Sequence, residues 1–178
     1  MVRDHSGLPM RNIDDIELAC RKVADWFTDV SCKRSMVLAG NVGTGKTTML
    51  KAISDFLRGG RIGVKYIRAN QLPFLATEEP DVFDRMLAPN KFYDFLLIDD
   101  VGEEPREASH YGNGILLFPL IVERRYDAQL PIIITTNLRF PKGGEKSVES
   151  VYGERVADRL KEMCNVFILK GNSYHEKI

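Results

Sequence analysis

Gly40, Gly43, Gly45, Lys46 and Thr47 fall at the spacing G-x-x-x-x-G-K-[ST]. That combination suits the cradling of a polyphosphate. Glycines let a backbone curl until successive N–H groups converge on phosphate oxygens. A helix opening where the loop ends adds partial positive charge. Within the run Gly40-Asn41-Val42-Gly43-Thr44-Gly45-Lys46-Thr47-Thr48, Lys46 is expected to reach the β- and γ-phosphates and the Thr47 hydroxyl to ligand magnesium. The plainer alternative is a glycine turn between strand and helix carrying an exposed lysine.

A second chemical stretch is Phe95-Leu96-Leu97-Ile98-Asp99-Asp100. Its unbroken apolar run reads as a strand buried on both faces, and it ends in two carboxylates. Beside a phosphate loop, Asp99 is placed to hold magnesium and Asp100 to orient or deprotonate water; without one, the pair is a solvated acidic turn. Asn137 closes the strand-like run Pro131–Asn137 and could hydrogen-bond a γ-phosphate or its attacking water, or serve as an ordinary turn residue. Arg155 and Arg159 are four apart, on the border of one helix face. From the residues alone they are equally a solvated face pairing with Asp158 and Glu162.

Alternating strands and helices must hold these groups together. Residues 1–11 are polar and irregular. From Asn12 an amphipathic pattern predicts a helix to about Val30, with Asn12 or Asp14 as its N-cap. The run Met36–Ala39 is a strand leading into the phosphate loop, and Thr47–Leu57 is a helix ended by Gly59-Gly60. Val64–Ala69 is a strand, and two short proline-interrupted helices are expected in residues 70–92. After the acidic strand come a polar loop over residues 101–112 and a helix over Ile115–Ala128, kinked by Pro119 or holding it in its first turn. The strand Pro131–Asn137, a flexible loop at residues 141–147, a helix over Val151–Cys164 and a strand over Val166–Leu169 complete the chain. The β-α alternation with polar strand tips predicts a parallel α/β sheet with its ligand site at the strand C-termini.

Composition sets the outer bounds. At 178 residues the chain is read as one domain with a substantial core. Lys+Arg and Asp+Glu are both 25, so any nucleic-acid contact must come from a local patch. Cys20, Cys32 and Cys164 are scattered and odd in number, which suits reduced thiols and no metal site. No stretch resembles a signal peptide or reaches membrane-spanning length, so the cytoplasm is the expected location.

The set GNVGTGKT, LLIDD, PIIITTN and YGERVADRL, in this order and spacing, resembles the DnaC/IstB-like branch of AAA+ ATPases, the bacterial helicase loaders and transposition helpers. The resemblance covers roughly residues 10–178 and implies an AAA+ core over residues 12–178: a three-layer α/β/α sandwich, five parallel strands in order 5-1-4-3-2, and no helical lid. It implies an ATP-Mg²⁺ site with Walker A at Gly40–Thr47, Walker B at Asp99-Asp100 and Asn137 as sensor 1. By the family pattern Arg159 is the arginine finger entering a neighbouring subunit, with Arg155 the second candidate. Three departures stand out. Ser173-Tyr174-His175 replaces a Ser-Tyr-Arg, and histidine cannot make a bidentate phosphate clamp. Asp100 stands where many AAA+ proteins have glutamate, which shortens the reach to water. Only about 34 residues precede the first strand, so the N-terminal helicase-binding domain of the loaders is expected to be absent, or the chain to be a fragment.

The resemblance thus implies a helicase-loader-type ATPase that forms a homo-oligomer on ATP or DNA binding, with a replicative helicase as partner and single-stranded DNA as a candidate ligand. A transposition helper of the IstB type, an ATP-switched interaction module with little hydrolysis and a small-molecule kinase are the alternatives. Residues 70–92 and the basic loop Arg139–Lys146 are the places where DNA contact is sought.

Overall fold

The computed structural model describes residues 12–13, 16–88, 93–104, 108–110, 113–115, 117–140 and 144–170. In chain order the elements are β1 (Asn12–Ile13), α1 (Ile16–Thr28), β2 (Ser35–Gly40), α2 (Lys46–Gly59), β3 (Val64–Arg68), a 3₁₀ turn (Ala69–Gln71), α3 (Leu72–Glu78) and α4 (Pro80–Leu87). Then follow β4 (Phe95–Val101), β5 (Ala108–His110), β6 (Asn113–Ile115), α5 (Leu117–Asp127), β7 (Ile132–Thr136), α6 (Val148–Tyr152), α7 (Glu154–Met163) and β8 (Cys164–Leu169).

The main sheet is wholly parallel, in the order β1-β8-β2-β7-β4-β3. Its five longer strands stand in the expected order 5-1-4-3-2. Alternating strand residues serve two cores. Met36, Leu38, Leu97 and Ile133 meet Ala19, Val23 and Trp26 of α1 and Met49, Leu50 and Ile53 of α2. Val37, Ala39, Ile67, Leu96, Ile98, Ile132 and Ile134 meet the layer of α3, α4, α5 and α7. Both faces being covered explains why β4 and β7 are apolar without alternation.

Four expectations are corrected. Asn12 neither opens nor caps a helix: Asn12–Ile13 pairs in parallel with Ile168–Leu169, because the edge of β8 offers backbone partners that hydrophobic periodicity does not register. Helix α1 begins at Ile16 and ends at Thr28, and Asp14 lies outside the described residues. The stretch expected as a polar loop running into a helix at Ile115 holds an antiparallel pair, β5 with β6, and the helix starts at Leu117, placing Pro119 in its first turn. The helix expected over Val151–Cys164 is two, parted at Gly153, whose φ of 91° suits glycine, and Cys164 already belongs to β8. The two short helices expected in residues 70–92 are α3 and α4. Ser173-Tyr174-His175 and residues 141–143 of the basic loop lie outside the described residues.

Candidate nucleotide site

The site begins where β2 stops. Gly40 closes the strand so near β8 that a Cβ there would sit 2.3 Å from the Leu169 carbonyl oxygen. Gly43 and Gly45 turn the chain with φ of 80° and 86°. Gly45 is the N-cap of α2, and among the described residues no side chain caps that helix. Its first-turn N–H groups therefore face the loop without a side-chain acceptor, which is the arrangement an anion completes. Thr44 is buried and its hydroxyl donates to the Asn41 carbonyl at 2.9 Å, so the loop is fastened from within. Asn41, Val42 and Thr48 are exposed.

Lys46 is buried, and its ammonium donates to the Asn41 carbonyl at 2.6 Å. Burial lowers its pKa from the ordinary lysine value, opposed by the charges of Asp100 and Asp99. The lysine thus sits folded onto its own loop, with a charge held by carboxylates across the cleft.

Strand parity brings the other groups to the same face. Asp99 is two residues beyond Leu97 on β4, Thr135 two beyond Ile133 on β7, and Tyr66 two beyond Val64 on β3. Asp99 is fully buried, so its carboxylate needs partners. Thr47 donates to Oδ1 at 3.1 Å, Thr135 to the same oxygen at 2.6 Å, and Tyr66 to Oδ2 at 2.8 Å. Burial, together with the Asp99 hydrogen bond and charge, raises the Tyr66 phenol well above its ordinary value, so it remains a donor.

Asp100 departs from the ladder. The pairing of β4 with β7 shifts between Ile98 and Val101, and Asp100 has a φ of 59°. Its N–H donates to the Thr135 hydroxyl at 2.8 Å, replacing the lost ladder bond. A non-glycine residue held there costs on the order of 1 kcal/mol or more. Burial and the Asp99 charge raise the Asp100 carboxyl from its ordinary value, as suits a group that exchanges a proton with water. Beyond β7, the Asn137 side-chain oxygen is buried with no hydrogen-bond partner among the described residues. A buried orphan acceptor at a strand tip is what a donor on a bound ligand or its water would satisfy.

Structure therefore joins Lys46, Thr47, Asp99 and Asp100, and adds Tyr66 and Thr135. Thr135 lay inside a polar strand tip visible in the sequence, whereas Tyr66 looked like any aromatic in a strand. A magnesium ion fits the donor set: Thr47 and Asp99 offer hard oxygens on adjoining elements, and this ion takes few protein ligands with the rest from phosphates and water.

The two arginines separate. Arg159 is mostly buried, paired with Glu123 at 3.0 Å and Asp127 at 3.7 Å, its guanidinium over the Tyr126 ring. Arg155, near the start of α7, meets Glu123 at 2.9 Å with a side chain 73% exposed. Asp158 pairs instead with Lys161, and Glu162 with the Tyr126 hydroxyl.

Comparison with known proteins agrees with this geometry. The family model described as IstB-like ATP binding protein matches residues 5–178. An insertion sequence IS21 ATP-binding protein of Pseudomonas aeruginosa is 25% identical over 150 residues, spanning 83% of this chain and 55% of the relative. Its counterpart from insertion sequence IS5376 of Geobacillus stearothermophilus is 32% identical over 149 residues, spanning 80% and 55%. The chain therefore spans about half the length of these curated relatives. Among solved structures, DnaI superposes with a TM-score of 0.63 at 19% identity, over 96% of this chain and 89% of that one. The DnaC helicase loader gives 0.62 at 21% identity, over 94% and 96%. The sheet order and loop are those of the AAA+ phosphate-loop fold, and with the family matched over nearly its whole length this chain belongs to the IstB-like ATP-binding proteins.

Proposed function

We propose that the chain is a magnesium-dependent ATPase that works as an assembly on DNA. The observation that carries this is the joining of the phosphate loop to the acidic strand tip: Thr47 is hydrogen-bonded to Asp99, beside an Asp100 freed from the ladder and an unpartnered Asn137 oxygen. A structural turn would need none of these. Magnesium, when bound, supplies neutralisation of the β- and γ-phosphate charge. The loop N–H groups and the start of α2 hold the phosphates, and Lys46 exchanges the Asn41 carbonyl for phosphate oxygens. Thr47 and Asp99 hold the metal side of the site. Asp100 orients the attacking water and accepts its proton, and Asn137 offers that water its free oxygen.

Arg155 is the better candidate for a finger reaching a neighbouring site, since it projects from α7, whereas Arg159 is tied to α5 on two carboxylates. Of the possible partners, the insertion-sequence names of the sequence relatives favour a transposase and duplex DNA. The likeness to the DnaC helicase loader, extending over nearly all of both chains, supports a replicative helicase and single-stranded DNA as the second reading.

Steady-state ATP hydrolysis measured with duplex, single-stranded or no DNA tests both. Magnesium-dependent turnover that Lys46→Ala removes is expected, with duplex DNA the stronger stimulant. Tight ATP binding with no turnover under any condition would leave an ATP-controlled interaction module instead.

A further inference from the structure

Asp99 is the most heavily bonded carboxylate described at the site, and two of its partners, Tyr66 and Thr135, have no place in the mechanism above. A carboxylate offers about four acceptor positions. Thr47 and Thr135 fill two on Oδ1, and Tyr66 fills one on Oδ2. Tyr66 comes from β3, on the far side of β4 from β7, so its phenol and the Thr135 hydroxyl grip Asp99 from the two flanking strands. Packing alone does not ask for this. Tyr66 is only half-buried, and such a phenol ordinarily turns its hydroxyl to water. Here it turns to a carboxylate with no exposed surface.

We propose that Tyr66, together with Thr135, is a positioning residue for Asp99 and sets how tightly the site takes a divalent cation. This rests on the nucleotide-site reading above and deepens it. Three filled acceptor positions leave one direction open on Oδ2, and the phenol decides which. Thr135 contributes twice, since its hydroxyl also accepts the Asp100 N–H and so couples the placement of the two carboxylates. Outer partners of metal-binding groups are worth roughly 10–100-fold in metal affinity where they have been removed.

The test is Mn²⁺ binding, followed by electron paramagnetic resonance, to the protein loaded with a non-hydrolysable ATP analogue. Tyr66→Phe keeps the ring and its packing. It is expected to weaken Mn²⁺ binding about 10-fold while metal-free affinity for the analogue stays at the parent value. Thr135→Val should act in the same direction and Thr135→Ser should restore most of the affinity. Parent-like Mn²⁺ binding in both Tyr66→Phe and Thr135→Val would overturn the assignment. Asp99→Asn separates the two levels: if it too leaves Mn²⁺ affinity unchanged, the nucleotide-metal reading of the site itself fails.

Discussion

In the proposed mechanism Lys46 must give up a 2.6 Å hydrogen bond to its own loop before it can hold a phosphate. The exchange is favourable because a charge-assisted contact to phosphate outweighs one to a neutral carbonyl. Asp100 presents the opposite problem, a short carboxylate that has to reach water. The register shift and its φ of 59° carry the residue out of the ladder. Asparagine tolerates that backbone conformation, so Asp100→Asn changes chemistry and leaves the fold alone. That variant is expected to lower turnover about 100-fold, within the usual range for a removed general base, while nucleotide affinity moves less than about threefold. A single-turnover assay beside a fluorescent-nucleotide titration reads both, and equal losses in the two would show that Asp100 serves binding.

Among the elements, α5 ties the site's distal layer together. Arg125 is fully buried, and its guanidinium donates to the Met86 carbonyl at 2.8 Å, Asp94 at 3.1 Å and Pro131 at 2.8 Å. Desolvation lowers its pKa to about 10, which leaves it a cation at neutral pH. One side chain thus joins the last turn of α4, the entry to β4 and the entry to β7. Arg125→Met keeps the stem but takes the guanidinium donors from three carbonyls, of which that of Pro131 keeps the Leu96 N–H; a buried carbonyl left unpaired costs about 1–3 kcal/mol, against which relief of the buried charge is a partial offset. A net loss near ~3 kcal/mol is expected from urea unfolding; an unchanged midpoint would mean that burying the cation costs as much as its bonds return. On the outer face of the same helix, Glu123 is shared by Arg159 and Arg155, and the Arg159 hydrogen bond holds its carboxyl below the ordinary range. A depressed folded-state pKa stabilises above the unfolded value and is lost as pH falls through the folded one. Glu123→Gln should therefore lower the thermal midpoint slightly at pH 7, the Glu123 carboxylate being exposed to solvent. Parent and variant should converge as pH falls through the folded-state value, which lies below the ordinary glutamate range, and a gap that persists beyond it would trace to packing.

At the scale of the whole molecule, the exposed Arg155 supports the proposed function in an assembly. Lys46→Ala and Arg155→Ala should each be inactive alone for different reasons, one lacking a phosphate contact and the other its contribution to a neighbour. Mixed together under assembling conditions, they are expected to recover a measurable share of parent turnover, because some interfaces combine an intact loop with an intact arginine. The recovery should fade on dilution. Arginines acting across such interfaces contribute 10³–10⁵ in rate in the systems where they are known. Mixtures as inactive as their components would place Arg155 outside the chemistry. No helix among the described residues is long and apolar enough to cross a membrane.

Sequence by itself determined the fold class and named most of the candidate site. Gly40–Thr47 is legible because phosphate chemistry demands those residue types at fixed local spacing, Asp99-Asp100 and Asn137 because they end apolar runs as polar strand tips, the sensor role of Asn137 being implied by the family resemblance alone, and β4 and β7 because burial on both faces removes their polar alternation. Long-range relations were decided by tertiary structure. Asn12–Ile13 became a strand because the edge of β8 was there to pair with, and the helix after Val148 broke at Gly153. Arg155 and Arg159, indistinguishable on a helical wheel, were parted by the carboxylates of α5. Tyr66 acquired its meaning only when parallel pairing set it beside Asp99, since the register between strands 33 residues apart is fixed by the packing of the whole sheet and by no local pattern.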